Sequence, residues 1–126
     1  MKTLIITIIT LFALVSYPNY AGIWEYETES TSFSLSLTQK DSVVTGKHSS
    51  VMLDGRRIDD SGEEESIQGT IKNGELIVKI KSAYGTGEPG TAKIKFIGKD
   101  SIYFEFITPP ACEYWIPNKV TLTKVK

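Results

Sequence analysis

The chain has 126 residues and a formal net charge of −1 at pH 7, with 14 Lys and Arg against 15 Asp and Glu. This balance argues against nucleic acid as a partner, because nucleic-acid-binding domains carry a basic surface. The length fits a single domain, and one His with one Cys is too few ligands for a zinc site. We predict no metal site and no cofactor.

The first 21 residues have the pattern of a secretory signal peptide. Lys2 supplies a positive charge, residues 4–15 form an apolar run, and a polar stretch leads to the small residue Ala21. The apolar run is shorter than the roughly 20 residues that span a bilayer. We therefore predict a signal peptide over residues 1–21 and an exported domain, periplasmic or secreted, over residues 22–126. Cleavage after Ser16 is the alternative.

Apolar and polar residues alternate through most of the remaining chain, as they do in strands that bury one face. Phe33, Leu35 and Leu37 alternate with Ser and Thr, for example. Asn73-Gly74 and Asp54-Gly55 separate such runs, and both pairs favour the tight turns of hairpins. We predict an all-β fold, a small antiparallel up-and-down barrel of about eight strands. The predicted strands span residues 23–29, 32–39, 43–52, 66–72, 75–82, 91–98, 102–108 and a last stretch that ends near Val125.

Gly22-Ile23-Trp24, at the start of the first predicted strand, resembles the G-x-W motif that opens lipocalins and related calycin barrels. In that family the Trp closes the base of the barrel and an Arg near the last strand packs over it. This sequence has Lys124 and Lys126 in that region instead, lacks a Thr-Asp-Tyr element and a C-terminal helix, and is short for the family. The resemblance implies a calycin-like barrel, but the fold alone does not imply that a ligand is carried.

His48 is predicted to lie on one face of the 43–52 strand together with Val44, Gly46, Ser50 and Met52. The small neighbours leave room around the ring, so His48 is a candidate polar anchor for a ligand. The alternatives are a hydrogen-bonded core histidine, or an exposed one if the strand is bulged at Gly46. The sequence has no G-x-S-x-G nucleophile elbow with which His48 could act. We therefore predict a protein that is not an enzyme.

Arg56 and Arg57 precede a stretch rich in carboxylates, at positions 59, 60 and 63–65. The spacing of these carboxylates does not match a calcium-binding loop, so we predict a solvated acidic loop. The paired guanidinium groups can grip a carboxylate or phosphate of a ligand, or they can form salt bridges with the same acidic stretch.

Two aromatic residues are candidate contacts for a ligand or partner. Tyr84 is predicted at the tip of the Gly-rich connection 82–90, and a Tyr on a rigid scaffold supplies a large contact area. Its Ser-Ala-Tyr-Gly segment resembles a loop of small periplasmic lysozyme-inhibitor barrels, although the paired cysteines of that family are missing. Trp115 follows a Pro-Pro break and is predicted either to line the mouth of the barrel or to cap its core. Cys112 is predicted to be a partly buried thiol, or else the site of an intermolecular bridge.

The outer face of two predicted strands carries a stripe of lysines that can meet an acidic protein or an anionic membrane surface, or can simply keep the domain soluble. The stripe consists of Lys79, Lys81, Lys93 and Lys95. The predicted function is non-catalytic binding of a small ligand inside the barrel or at its mouth. The alternative is an exported inhibitor or immunity factor that blocks an enzyme through the Tyr84 loop. In both cases the predicted contact residues are His48, Arg56, Arg57, Tyr84 and Trp115. The oligomeric state is left open.

Overall fold

The computed structural model describes residues 16–85 and 87–126, and the regular secondary structure of this part of the chain is entirely β. The apolar run of the predicted signal peptide, residues 4–15, lies outside the described residues. No helix among the described residues is long and apolar enough to cross a membrane. The all-β prediction is confirmed. The nine strands are β1 (Gly22–Glu27), β2 (Ser32–Lys40), β3 (Val43–Met52), β4 (Arg57–Asp60), β5 (Ile67–Lys72), β6 (Glu75–Ile80), β7 (Gly90–Gly98), β8 (Ser101–Thr108) and β9 (Lys119–Lys124).

Eight of the strands close into an antiparallel barrel. Sequential neighbours pair along the ring, β3 pairs with β5, and β1 pairs with β9 to complete the closure. The up-and-down barrel predicted from the sequence is therefore confirmed. The predicted Asn73-Gly74 turn is also present, with φ angles of 53° and 82° between the paired residues Lys72 and Glu75. Both residues of a type I′ turn need such positive φ values.

The remaining strand, β4, is not among the predicted strands. It pairs with Ser49–Met52 of β3, whereas β5 pairs with Val43–Gly46, so β4 and β5 follow one another along the same side of β3. Residues 61–66 connect them. The acidic stretch predicted to be a solvated loop thus begins with a strand whose Asp59 is buried in the barrel. The prediction that the whole acidic stretch is solvated is therefore wrong for Asp59.

The two ends of the barrel differ in what covers them. The end that we call lower carries the short connections 41–42, 73–74 and 99–100, together with residues 20–22 and the C-terminus. The end that we call upper carries the connections 28–31, 53–56, 81–89 and 109–118. Longer connections on one end give the chain more room to build a surface there.

One continuous cluster of buried apolar side chains fills the interior. In its upper half, Phe33 and Phe106 both pack edge-on against Phe104, at centroid distances of 5.4 and 5.2 Å, and Phe106 also meets Tyr114 at 5.5 Å. Edge-to-face pairs at these distances are favourable beyond the area they bury. Tyr114 belongs to the 109–118 connection, which therefore caps the core from above.

The lower end is closed by Tyr20 and Trp24. Both are buried, and each ring packs against Phe96, at centroid distances of 4.6 and 5.8 Å. Lys124 of β9 places its ammonium group 5.7 Å from the centroid of the Trp24 ring. A basic residue from the last strand thus covers the tryptophan of the first strand, and in this chain that residue is a lysine.

Candidate functional site

A buried carboxylate organises the upper end of the barrel. Oδ1 of Asp59 accepts hydrogen bonds from His48 Nε2 at 2.9 Å and from the Ala83 N–H at 2.7 Å. Its Oδ2 accepts from Ser82 Oγ at 2.6 Å and from the Trp115 N–H at 3.0 Å. One side chain therefore joins β3, β4 and the connections 81–89 and 109–118.

These four hydrogen bonds decide the charge of Asp59. Burial by itself raises the pKa of a carboxyl, because it removes water from the charged form. The bonds from His48, from Ser82 and from two backbone N–H groups outweigh burial and lower the pKa of Asp59 from 3.8 to about 2. At neutral pH the side chain is thus a buried anion whose partners all donate to it, which is the condition under which a buried charge is tolerated.

His48 lies under this surface and does not reach it. Its side chain is fully buried, and both ring nitrogens have protein partners: Nε2 bonds Asp59, and Nδ1 lies 2.7 Å from Ser66 Oγ. Because the ionised carboxylate needs a donor, the Nε2 atom carries a proton, and in the neutral ring Nδ1 accepts from the Ser66 hydroxyl. His48 is therefore a buried histidine whose ring is hydrogen-bonded on both sides.

Ser66, His48 and Asp59 are connected in the order of a hydrolase triad, but their geometry favours a structural role. The Ser66 hydroxyl is buried and meets Nδ1, whereas a triad serine meets Nε2. The groove beside it, about 250 Å³ in volume, is lined by three acidic residues, Asp60, Glu64 and Glu65, and by one basic residue, Lys81, so its net charge is negative. Negative charge at that place opposes the oxyanion that acyl transfer must develop.

The residues above this network form one exposed surface, which we call the end patch. Arg57 of β4 places its guanidinium carbon 5.3 Å from the centroid of the Trp115 ring. Tyr84 donates its hydroxyl to the Ile58 carbonyl at 3.0 Å, and Arg56 donates Nε–H to the Leu53 carbonyl at 3.1 Å. The patch consists of Leu53, Arg56, Arg57, Tyr84 and Trp115. The Ile58 side chain lies on the opposite face of β4 from Arg57, and only its backbone carbonyl meets the patch.

Four of the five predicted site residues, Arg56, Arg57, Tyr84 and Trp115, belong to this patch, and His48 supports it from below. The Tyr84 side chain is 40% exposed, and its hydrogen bond to the Ile58 carbonyl holds it against β4. It therefore lies along the surface and does not form a protruding tip. The Trp115 side chain is half-buried, and its Nε1–H donates to Glu113 Oε2 at 2.7 Å.

The two arginines have no acidic partner among the described residues. Among the residues that the structure describes, the only Lys, Arg or His side chain within 4.0 Å of a carboxylate is His48, which meets Asp59. Arg56 and Arg57 each donate one N–H to a backbone carbonyl near the 53–56 turn instead. The salt bridges to the acidic stretch, one of the two roles predicted for these residues, are therefore not formed, and most of the guanidinium donors remain open to solvent or to a partner.

The 53–56 turn holds an aliphatic side chain at an energetic cost. Leu53 has a φ of 55°, followed by positive φ at Asp54 and Gly55. A left-handed conformation costs an ordinary L-residue roughly 1–2 kcal/mol. The same Leu53 side chain is 46% exposed and that of Ile58 is 52% exposed. Strain and exposed apolar area together are typical of surfaces that serve binding more than stability.

Three lysines of the predicted stripe, Lys79, Lys93 and Lys95, lie on the outer wall, whereas Lys81 lies at the upper end and lines the groove beside Ser66. Lys93 and Lys95 of β7 face Glu105 and Tyr103 of β8, and Lys79 lies on neighbouring β6. The contact of these lysines with a membrane surface stays a prediction.

A shallow groove of about 560 Å³ borders Lys79 and is lined mainly by outward side chains of β3, β5, β6 and β7. Cys112 is a half-buried, unpaired thiol.

Sequence analysis missed the residues that hold the patch together, namely Asp59, Ser66 and Ser82. Strand prediction expects the apolar residue of an alternating pair to point inward, but in β4 the apolar Ile58 points out and Asp59 points in. One signal in the sequence could have indicated that Asp59 points inward. Asp59 lies four residues after Gly55 of the Asp54-Gly55 turn, and a hairpin about this turn pairs Asp59 with Ser50 of β3.

No protein-family model, no curated protein and no solved structure matches this chain.

Proposed function

We propose that this chain is an exported, non-catalytic binding protein that docks a segment of a partner protein on its end patch. The observation that carries the proposal is the fixed arrangement of Arg57, Tyr84 and Trp115 on one exposed surface, held by the buried Asp59 hub. Tyr, Trp and Arg are the residues that contribute most binding energy in protein interfaces. Side chains that are already held in place lose less entropy when a partner binds.

The filled interior favours a surface contact over a ligand held inside. A carrier of the barrel type needs an internal space, whereas here buried apolar side chains occupy the barrel from Trp24 at the base to Phe106 near the top. Docking on the end patch can block a partner enzyme without any catalytic group, because covering an active site needs contact area alone. The proposal thus follows the alternative function from the sequence, an exported inhibitor or immunity factor that blocks an enzyme.

The chemistry of the patch indicates what the partner presents. Arg56 and Arg57 offer open guanidinium donors, which match carboxylates in geometry and charge. Leu53, whose carbonyl accepts from Arg56, offers exposed aliphatic area in the same turn. A segment with acidic and apolar side chains in alternation satisfies both, so we propose that the docked segment is of this kind.

Selection from a library of random displayed peptides on the immobilised protein tests the proposal. We expect selected peptides to combine acidic and apolar residues and to bind Tyr84→Ala about thirtyfold more weakly or worse, since an interface hot spot is worth about 2 kcal/mol or more. Tyr103→Ala on the outer wall is the matched control and should bind like the wild type. Peptides that bind both variants equally well would mean that the end patch is not the docking surface.

A further inference from the structure

The base of the barrel contains a residue that the first predicted signal cleavage, after Ala21, would remove. Tyr20 is 0% exposed and packs its ring against Phe96 at a centroid distance of 4.6 Å. Its hydroxyl donates to the Gly74 carbonyl at 2.7 Å, with the Ile94 carbonyl at 3.2 Å, and its own carbonyl accepts from Trp24 Nε1 at 2.9 Å. These contacts reach three parts of the barrel, namely β1, β7 and the 73–74 turn, and Tyr20 is thus a core residue.

The residues next to Tyr20 are also bound to the barrel. Gln39 of β2 donates its Nε2–H to the Pro18 carbonyl at 2.9 Å and accepts the Tyr20 N–H at 2.8 Å through Oε1. By contrast, Ser16 and Tyr17 are exposed. The contacts that tie the N-terminal segment to the fold therefore begin at Pro18.

We propose that the leader is removed by hydrolysis of the Ser16–Tyr17 peptide bond, so that Tyr20 stays in the mature barrel. A signal peptidase adds water across this bond and leaves a carboxylate on Ser16 and a free ammonium on Tyr17. Such peptidases need a small residue before the cut. Of the small residues in this region, Ala13 lies inside the apolar run and Ala21 follows the core residue Tyr20, which leaves Ser16.

The intact mass of the exported protein tests this assignment directly. The full chain is expressed with its own leader in an exporting bacterial host, and the purified product is measured by mass spectrometry with N-terminal sequencing. We expect a chain that begins at Tyr17. A chain that begins at Gly22, or one that is not cut, would overturn the proposal, and a start at Pro18, Asn19 or Tyr20 would overturn the choice of bond.

A comparison of shortened chains tests the physical reason. We expect a chain that begins at Gly22 to unfold at a temperature more than about 10 °C below one that begins at Tyr17, because a large buried side chain is lost. A chain that begins at Asn19 is the matched control, since it is shortened but keeps Tyr20. Equal unfolding temperatures for the Tyr17 and Gly22 chains would contradict a core role for Tyr20. These readouts concern the lower end and do not depend on what binds at the end patch.

Discussion

At the scale of single residues, the Asp59 carboxylate sets how the protein responds to acid. Its pKa is lowered from 3.8 to about 2 in the folded chain. A lowered pKa contributes stability that is present above the unfolded value and is lost as the pH falls through the folded value. We expect the free energy of unfolding to fall by about 2 kcal/mol from this group between about pH 4 and pH 2, measured by urea unfolding across that range.

The variant Asp59→Asn separates this effect from general acid unfolding. An amide nitrogen cannot accept the hydrogen bonds now made to a carboxylate oxygen, so we expect a loss of about 3 kcal/mol at pH 7 and a weaker dependence on acid. Asp60→Asn, an exposed change on the same strand, should cost less than about 1 kcal/mol. Equal losses from the two variants would contradict the role of Asp59 as a hub.

Tyr20 sets the response to alkali with the opposite sign. Burial, with a smaller contribution from the Glu75 charge, raises the pKa of Tyr20 from 10.0 to about 12. The unfolded chain therefore loses this proton first, and the stability that the group contributes is present below pH 10 and is lost as the pH rises from 10 towards 12. In Tyr20→Phe we expect the free energy of unfolding to fall by about 1–2 kcal/mol at pH 7. Between pH 10 and pH 12 the variant should then lose less stability than the wild type, as measured by unfolding followed with circular dichroism. An unchanged alkaline transition would count against this reading.

At Leu53 we expect substitution to raise the stability of the fold and to weaken binding at the end patch. Asn tolerates the left-handed conformation better than Leu, so Leu53→Asn should raise the free energy of unfolding by about 1 kcal/mol in a denaturant titration. The same change removes an exposed aliphatic side chain from the end patch, and binding of the selected peptides should weaken. A variant that gains stability and keeps full binding would remove Leu53 from the docking surface.

At the scale of elements, alternation predicts most of the barrel because most of its strands bury one apolar face. The bounds of β3 are predicted to the residue, and β2 and β8 differ from prediction by one residue. The first strand ends two residues early because Thr28 and Thr31 form a turn. The failure at β4 has a physical reason, since its buried residue is charged and its apolar residue is exposed.

The candidate site is predictable as a set of residue types but not as an assembly. Arg57, Tyr84 and Trp115 stand out in the sequence as long polar or aromatic side chains in connections, or next to them. They come together because a buried carboxylate collects N–H and hydroxyl donors from three distant segments. Such long-range pairing leaves no local pattern in the sequence. The burial of Tyr20, which precedes the predicted start of the domain at residue 22, leaves none either.

The arginines of the end patch are expected to act together. In the double variant Arg56→Gln/Arg57→Gln, binding of an acidic selected peptide should weaken at least about tenfold, because charge-assisted hydrogen bonds to the carboxylates are lost. Wild-type binding should also weaken as salt is added. Isothermal titration calorimetry measures both. Lys40→Gln/Lys99→Gln, at the lower end, removes the same charge, and an equal loss there would mean that net charge alone steers the peptide.

At the scale of the whole molecule, the buried base of the barrel and the surface that we propose for recognition lie at opposite ends. The lower end is closed by Tyr20, Trp24 and short connections, and the upper end carries strain, exposed apolar area and unpaired guanidinium groups. A rigid closed ring between them lets changes at the end patch leave the base undisturbed. We therefore expect Tyr84→Ala and Arg56→Gln/Arg57→Gln to alter binding with small effects on unfolding temperature, whereas Leu53→Asn also relieves backbone strain.

The most direct test of partner docking is a native mass spectrum of the protein purified gently from its native compartment, which we propose lies outside the cytoplasm. We predict a complex with a second protein, which is lost when the Tyr84→Ala variant is purified in the same way and retained in Tyr103→Ala. A bound small molecule that leaves on denaturation, or a bare chain with no companion, would contradict the account.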